Sequence, residues 1–457
     1  MNSIFNLTSD QLTLALELSD IKETDSIKPE HILKAYDLYT RLEKKPRLTR
    51  AHEVIKPKIV NGAPENMEQF FNTPKEIFYL TRWVLKVLPF INLLETFGHL
   101  PIERSTDDFE GFIEELNKQY LSALKSIHSQ IPSRHNIFHD IDFKNVTEII
   151  EKIQGAVKQY QEGYPNSAFE CIDDMFHINI TSRGYLNKQM TIVDNQGGLL
   201  YKMRTGTSRN YLAEEMFHIP FEKRGLVSTN RYSIPGLPCV YLGSSAIACW
   251  EELNRPDLNT VQTALFEKGA VSYLDFSTPP GALLELLIDN FNSKGFSDLD
   301  MKEVYKDLVS YLVVWPLMAA CSIRVKHPND SFKPEYIIPQ LLLQWIRKSE
   351  FDGISYFSTK IKKYNSSTAK LYTNYAFPVQ SREKQGYCSV LTTKFKISDA
   401  IPWQTFQIYK DCPAAIRNEE TINAAIEMVG GIPLSYSQTD FNKLESLLKN
   451  QHFNGKP

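Results

Sequence analysis

The spacing of apolar residues changes character near residue 178, and that change restricts the architecture more than any single motif does. Before it, apolar positions recur in helical steps. Phe109, Phe112, Ile113, Leu116, Tyr120, Leu121, Leu124 and Ile127 share one helical face, with Asp107 or Asp108 available as the cap. Val146, Ile149, Ile150, Ile153, Val157 and Tyr160 repeat the pattern and stop at Gly163. The more apolar run between Pro74 and Phe97 reads as a buried helix kinked or ended near Pro89. Such stripes need one another for burial, so residues 1–165 are expected to form an all-helical N-terminal domain.

Beyond Ile178 the helical period gives way to short β-branched and aromatic runs. Leu199–Arg204, Leu237–Gly243, Ala270–Phe276 and Cys388–Phe395 read as strands. Between them Ser245–Leu253, Leu283–Phe291, Lys302–Ala320 and Ile337–Lys348 read as helices. The interleaving has no regular βαβ period, which predicts an α+β domain over residues 178–400. The basic, polar stretch Ser358–Ser367 is expected to be an exposed loop. Residues 401–457 return to helix as a C-terminal extension, with Thr421–Val429 and Asp440–Lys449 as its helices.

Composition excludes several classes. With 42% hydrophobic and 23% charged residues, the 457-residue chain can bury ordinary cores and is neither disordered nor fibrous. Lys plus Arg number 51 against 54 for Asp plus Glu, so no overall basic field exists and direct nucleic-acid binding is not expected. Cys171, Cys239, Cys249, Cys321, Cys388 and Cys412 are scattered with no CxxC pair, as expected for reduced thiols. The start MNSIFNLTSDQ lacks the pattern of a signal peptide, and the longest apolar stretch, Leu308–Ile323, is short and interrupted by Pro316. A cytoplasmic protein without membrane contact is the expectation. Phosphate-binding glycine loops, a GxSxG elbow and an HExxH pair are missing from the sequence, and dispersed histidines give no support to a metal site.

The informative segment is Met216–Leu253. A polar loop ends in Arg231-Tyr232, Pro235-Gly236 makes a tight turn, and an apolar strand runs through Tyr241. Ser244 or Ser245 then caps a short helix that turns Ala246, Ile247, Trp250 and Leu253 inward and carries Glu251 and Glu252. Glu251 falls on the flank of that face, where a carboxylate can line a cleft.

This run resembles the RES domain, the toxin half of a class of bacterial toxin–antitoxin pairs named for an arginine, a glutamate and a serine. The likeness rests on Asn230-Arg231-Tyr232, Pro235-Gly236, Val240-Tyr241-Leu242-Gly243 and Ala246 to Glu251, followed by Gly353-Ile354-Ser355-Tyr356-Phe357-Ser358. Upstream, Leu200-Tyr201-Lys202-Met203-Arg204 matches the opening strand, except that Lys202 stands where many members have arginine. Arg204, two residues on, shares a strand face with it.

The resemblance implies an ADP-ribosyltransferase-like fold and an enzyme that cuts the nicotinamide–ribose bond of NAD⁺. Inorganic phosphate is the expected co-substrate and no metal is required; transfer of ADP-ribose to a protein is the alternative. Glu251 would stabilise the oxocarbenium-like ribosyl cation. Arg204 and Arg231 would bind phosphate groups, Tyr232 and Tyr241 would offer aromatic faces to nicotinamide, and Ser358 would hydrogen-bond the ribose or a phosphate oxygen. An antitoxin with a helix-turn-helix domain is the implied protein partner. A competing pattern, Arg134 to His139, fits the arginine–x4–histidine signature of HEPN ribonucleases, and a degenerate RES-like fold that only binds a nucleotide or a partner is a third reading.

Overall fold

The computed structural model describes residues 88–130, 140–294 and 302–450, with gaps at 182, 187–189, 195–196, 208, 363, 413–421 and 423, and isolated positions between 37 and 84. The chain divides into two units. One comprises Met1–Phe97, Ser122–His139 and Leu283–Leu308, the other Gly98–Leu121, Asp140–Ala282 and Val309–Pro457.

In the first unit, helix covers residues 88–97 and buries Phe90, Ile91, Leu93 and Leu94. Pro89 lies inside this described helical stretch, and residues 85–87 before it lie outside the described residues. A short antiparallel pair joins Ile59–Val60 to Ala63–Pro64. The Arg134–His139 pattern lies outside the described residues.

The second unit is built on a nine-stranded mixed sheet. Its strands are β1 (Thr191–Asp194), β2 (Leu199–Thr205), β3 (Cys239–Gly243), β4 (Val261–Lys268), β5 (Val271–Phe276), β6 (Gly353–Phe357), β7 (Thr373–Pro378), β8 (Phe395–Ile397) and β9 (Ile401–Pro402). They lie in the order β8-β4-β2-β3-β7-β6-β5-β1, with β9 also paired to β4. Only β5 and β6 are parallel. A parallel pair needs a long crossover. The connection here contains α5 (Pro280–Lys294), α6 (Lys302–Ser322) and α7 (Ile337–Lys348), numbered after α1 (Phe109–Gln130), α2 (Asp140–Gln161), α3 (Pro165–Asp174) and α4 (Ala246–Glu252). The mixed sheet with helices of irregular order agrees with the α+β expectation.

Strand alternation separates two cores. On one face Leu200 packs with Val240, Leu242, Phe266 and Phe377, and with Met216, Phe217 and Phe221 of the preceding loop. On the other, Tyr201, Met203 and Leu265 meet Ala246 to Cys249 of α4, together with α8 (Trp403–Tyr409) and α9 (Asp440–Lys449). Elsewhere in this unit Tyr120 stacks on Trp315 at 4.2 Å and Phe176 on Trp345 at 3.7 Å. Each such fully buried large side chain contributes roughly 1.5–3 kcal/mol of transfer free energy.

Three local expectations fail. Cys388–Phe395 is not a strand: Ser389–Thr392 forms a helical turn, and only Phe395–Ile397 joins the sheet. The Thr392 and Thr393 hydroxyls bond back to the carbonyls of Ser389 and Val390 at 2.8 Å, so local bonds outweigh β-propensity. Thr421–Val429 is not a helix. Ala425–Val429 pairs with Ile432–Ser435 in a hairpin turned at Gly430-Gly431, where Gly431 has φ +77°. Nor is Ser358–Ser367 simply an exposed loop. Ser358, Thr359, Ile361 and Tyr364 are buried, while Lys360 and Lys362 point outward.

All six cysteines are free, and four of them (Cys239, Cys249, Cys321 and Cys388) are buried. Among the described residues no helix is long and apolar enough to cross a membrane.

Candidate active site

The site is positioned by the way β3 passes into α4. A Cβ on Gly243 would sit 2.8 Å from the Cys249 sulfur, so glycine lets the strand end meet the helix closely. Ser245 is the N-cap: its hydroxyl accepts from the Ala248 amide at 3.1 Å and donates to the Leu371 carbonyl at 2.6 Å. The Ala246 amide is met by the carboxylate of Glu445, from α9, at 2.7 Å. The helix then buries Ala246 to Cys249 all round, whereas Leu253, expected inward, is 37% exposed.

Successive helical residues point about 100° apart, and this separates the two glutamates. Glu251 is buried and binds Arg255 Nε at 2.8 Å. Arg255 reaches it because Asn254 and Arg255 both adopt left-handed backbone, φ +61° and +54°, a conformation that costs a non-glycine residue roughly 1–2 kcal/mol. Glu252 turns to the sheet instead. Its Oε1 accepts from the Ser358 hydroxyl at 2.5 Å and from the Asn374 amide at 2.7 Å. Ser358 in turn accepts from the Lys360 backbone amide at 3.2 Å. Ser358 therefore meets Glu252, the neighbour of the glutamate singled out from the sequence.

Arg231 lies in the same region, 8% exposed. Its guanidinium donates to the carbonyls of Cys321 at 3.1 Å and Ile323 at 2.9 Å and to the Thr359 hydroxyl at 3.1 Å. The Tyr336 ring covers it at 5.2 Å. Tyr336 is steadied by its neighbour Glu335, which is buried in an ion pair with Arg104 at 3.0 Å. Burial pushes both the Tyr336 and Tyr356 phenols upward; the charge of Glu252 adds to the rise and that of Arg231 opposes it. Neither Arg231 nor Glu252 forms an ion pair among the described residues, so a buried cation and a nearby carboxylate both stand without a charged partner.

Tyr232 and Tyr241 belong to this cluster. Tyr232 packs on Tyr356 with ring centres 4.3 Å apart. Tyr241 faces away from Val240 and Leu242, on the side of the sheet shared with Tyr356 and Asn374. The hydroxyls of Tyr232, Tyr241 and Ser233 are buried without a hydrogen-bond partner of good geometry. Burial raises the Tyr232 and Tyr241 phenols well above their ordinary range.

Arg204 and Lys202 are placed elsewhere. Both project with Leu200 from the opposite face of the sheet. Arg204 donates to the Glu215 carbonyl and lies 4.9 Å from the Tyr211 ring. Lys202 donates to the Phe217 carbonyl at 2.6 Å, and burial lowers it to about 8. The structure thus gathers Arg231, Tyr232, Tyr241 and Ser358, leaves Arg204 and Glu251 to one side, and adds Glu252, Asn374, Thr359, Tyr336 and Tyr356. The doublet Glu251-Glu252 was the available sequence signal for the carboxylate. Asn374 and Tyr336 carry no local motif.

Among curated proteins the chain is 34% identical to one from Bacillus subtilis (strain 168) described as "Putative toxin YopC", over 449 residues that cover 95% of this chain and 96% of that protein. No protein-family profile and no solved structure matches it.

Proposed function

The chain belongs to the family of the protein described as "Putative toxin YopC", and from that premise we propose that it is a toxin that degrades NAD⁺ by phosphorolysis of the nicotinamide–ribose bond. The observation that supports this reading best is the held carboxylate of Glu252, fixed at Oε1 by Ser358 and Asn374 with no partner at Oε2 among the described residues. The RES-like motifs supply the reaction class.

In this chemistry the bond from ribose C1 to nitrogen breaks with its electron pair going to nicotinamide, which leaves as a neutral base. Positive charge is left on the ribosyl carbon and ring oxygen, where a preorganised carboxylate lowers the barrier. A phosphate oxygen then closes the new bond to carbon, giving ADP-ribose 1-phosphate. Glu252 is the stabilising carboxylate in this reading, and Ser358 and Asn374 hold it in place. Arg231 supplies the buried positive charge for an anionic oxygen. Tyr336 and Tyr356 offer ring faces to the nicotinamide. Lys360 and Arg255 are the exposed cations next to Ser358 and Glu251, suited to the pyrophosphate. Glu251 acts through Arg255, and Arg204 secures the segment around Glu215. A protein antitoxin and a cytoplasmic setting, where NAD⁺ is available, belong to the same reading.

The test is purified protein with NAD⁺, followed by NMR with and without inorganic phosphate. Nicotinamide release that depends on phosphate, with a 1-phosphorylated ADP-ribose product, is expected. Release without phosphate would replace the acceptor with water or a protein side chain. Stable NAD⁺ beside RNA cleavage that is lost in His139→Ala would favour the ribonuclease reading, and stable NAD⁺ without RNA cleavage would leave a binding fold.

A further inference from the structure

Away from that site, a groove of about 790 Å³ runs between α3, α7 and the loop around Pro235-Gly236. Two arginines face it in a similar way. Arg224 spends its Nε on the Gly236 carbonyl and Arg347 its Nε on the Val379 carbonyl, each at 2.9 Å. Among the described residues neither guanidinium has an ion pair or a further hydrogen bond, so their Nη groups are presented to the groove in fixed orientation. Lys348 also lines it, but is partly neutralised by Asp173 at 3.1 Å. Gln344 and Gln380 donate their amide hydrogens to the Gln340 carbonyl and to Asp352, leaving their side-chain oxygens as acceptors. Phe169, Ile234 and Leu237 supply an apolar floor.

We propose that this groove receives an acidic, extended segment of a partner polypeptide. Anchored guanidinium forks fit carboxylates bidentately. The amide oxygens accept from backbone N–H groups, which a peptide has and a phosphate ion lacks. The apolar floor takes the side chains that alternate with the acidic ones. One wall of the groove is the turn Ile234–Leu237, which continues the loop that carries Arg231. Gln340, one turn before Gln344 on α7, holds that loop through the carbonyls of Asn230 at 3.0 Å and Ser233 at 3.2 Å. The proposal does not depend on the NAD⁺ chemistry.

The experiment uses the full chain and a fluorescein-labelled peptide of alternating glutamate and leucine, with a glutamine-for-glutamate peptide as control and inorganic pyrophosphate as competitor. Fluorescence anisotropy is expected to show binding of the glutamate peptide only, weakened by added salt and by at least about tenfold in Arg224→Glu/Arg347→Glu. Because both arginines also anchor loops, Gln344→Glu serves as a second variant that adds a negative charge to the groove while leaving the anchors intact; it should weaken binding as well. Absence of binding, equal binding of the glutamine peptide, or unchanged affinity in Gln344→Glu would overturn the proposal. Displacement by pyrophosphate at matched ionic strength would also overturn it, and would identify a small-anion site instead.

Discussion

The Ser358 hydroxyl lies 2.5 Å from Oε1 of Glu252, while the adjacent Glu251 is held by Arg255 on the other flank of the same short helix. Glu252→Gln should therefore lower the rate of nicotinamide release by about a hundredfold or more, as loss of a main electrostatic stabiliser does. Glu251→Gln should retain activity within a few-fold. Measured side by side, the reverse ranking would return the role to Glu251.

Ser358→Ala and Asn374→Ala each remove one of the two donors to Glu252 Oε1. If these residues only position the carboxylate, kcat should fall about tenfold with KM nearly unchanged. A rise in KM at constant kcat would instead mark them as direct substrate contacts. Steady-state kinetics on both variants separates the two outcomes.

Glu445 gives a pH dependence of stability. Burial raises its carboxyl from 4.5 to about 7, against the opposing bonds from Tyr436 and the Ala246 amide. The folded state therefore binds this proton more tightly than the unfolded chain. Its contribution is fully present below about pH 4.5 and is lost as the pH rises through about 7, a change of about 3 kcal/mol. Glu445→Gln should flatten the dependence of Tm on pH between those limits and raise Tm at pH 8. A pH profile unchanged from the parent would show that another group dominates.

Gly353 permits β6 to approach β7. A Cβ there would lie 2.5 Å from the Ala376 carbonyl oxygen and 2.6 Å from the Phe377 ring. Gly353→Ala is expected to cost roughly 1–3 kcal/mol by overpacking. Urea unfolding should show a lower midpoint with an unchanged m-value, and an unaltered midpoint would mean that the two strands can move apart freely.

Helices with a clear apolar stripe are legible in the sequence even over about three turns: Ile337–Lys348 and Asp440–Lys449 match residue for residue. Strand β4, next to the sheet edge between β8 and β2, has no clear strand signature in the sequence. Buried on both faces, Val261–Lys268 lacks the alternation that marks a half-exposed strand, and Gln262 and Thr263 interrupt its apolar character. The site was half legible. Arg231, Tyr232, Tyr241 and Ser358 come together through long-range contacts: Arg231 with Thr359, Tyr232 with Tyr356, Ser358 with Glu252, and Tyr241 by sheet pairing. Which of two adjacent glutamates turns to the sheet depends on the phase of a seven-residue helix, and that phase is set by Ser245, Leu371 and Glu445, far apart in sequence. Arg204 against Lys202 never decided anything at the cluster, since both share the wrong strand face for it.

The bond from the Ala246 amide to Glu445 spans 199 positions of the chain. A ribosome that has just made the helix of Glu252 must add almost two hundred more residues before the carboxylate that meets its first amide exists. Until then water has to satisfy that helix end, and the apolar residues of α9 that cover the helix are also missing. Assembly of the site is thus a late event in synthesis, and a nascent chain that is truncated before α9 carries the residues of the cluster without the support that fixes their geometry.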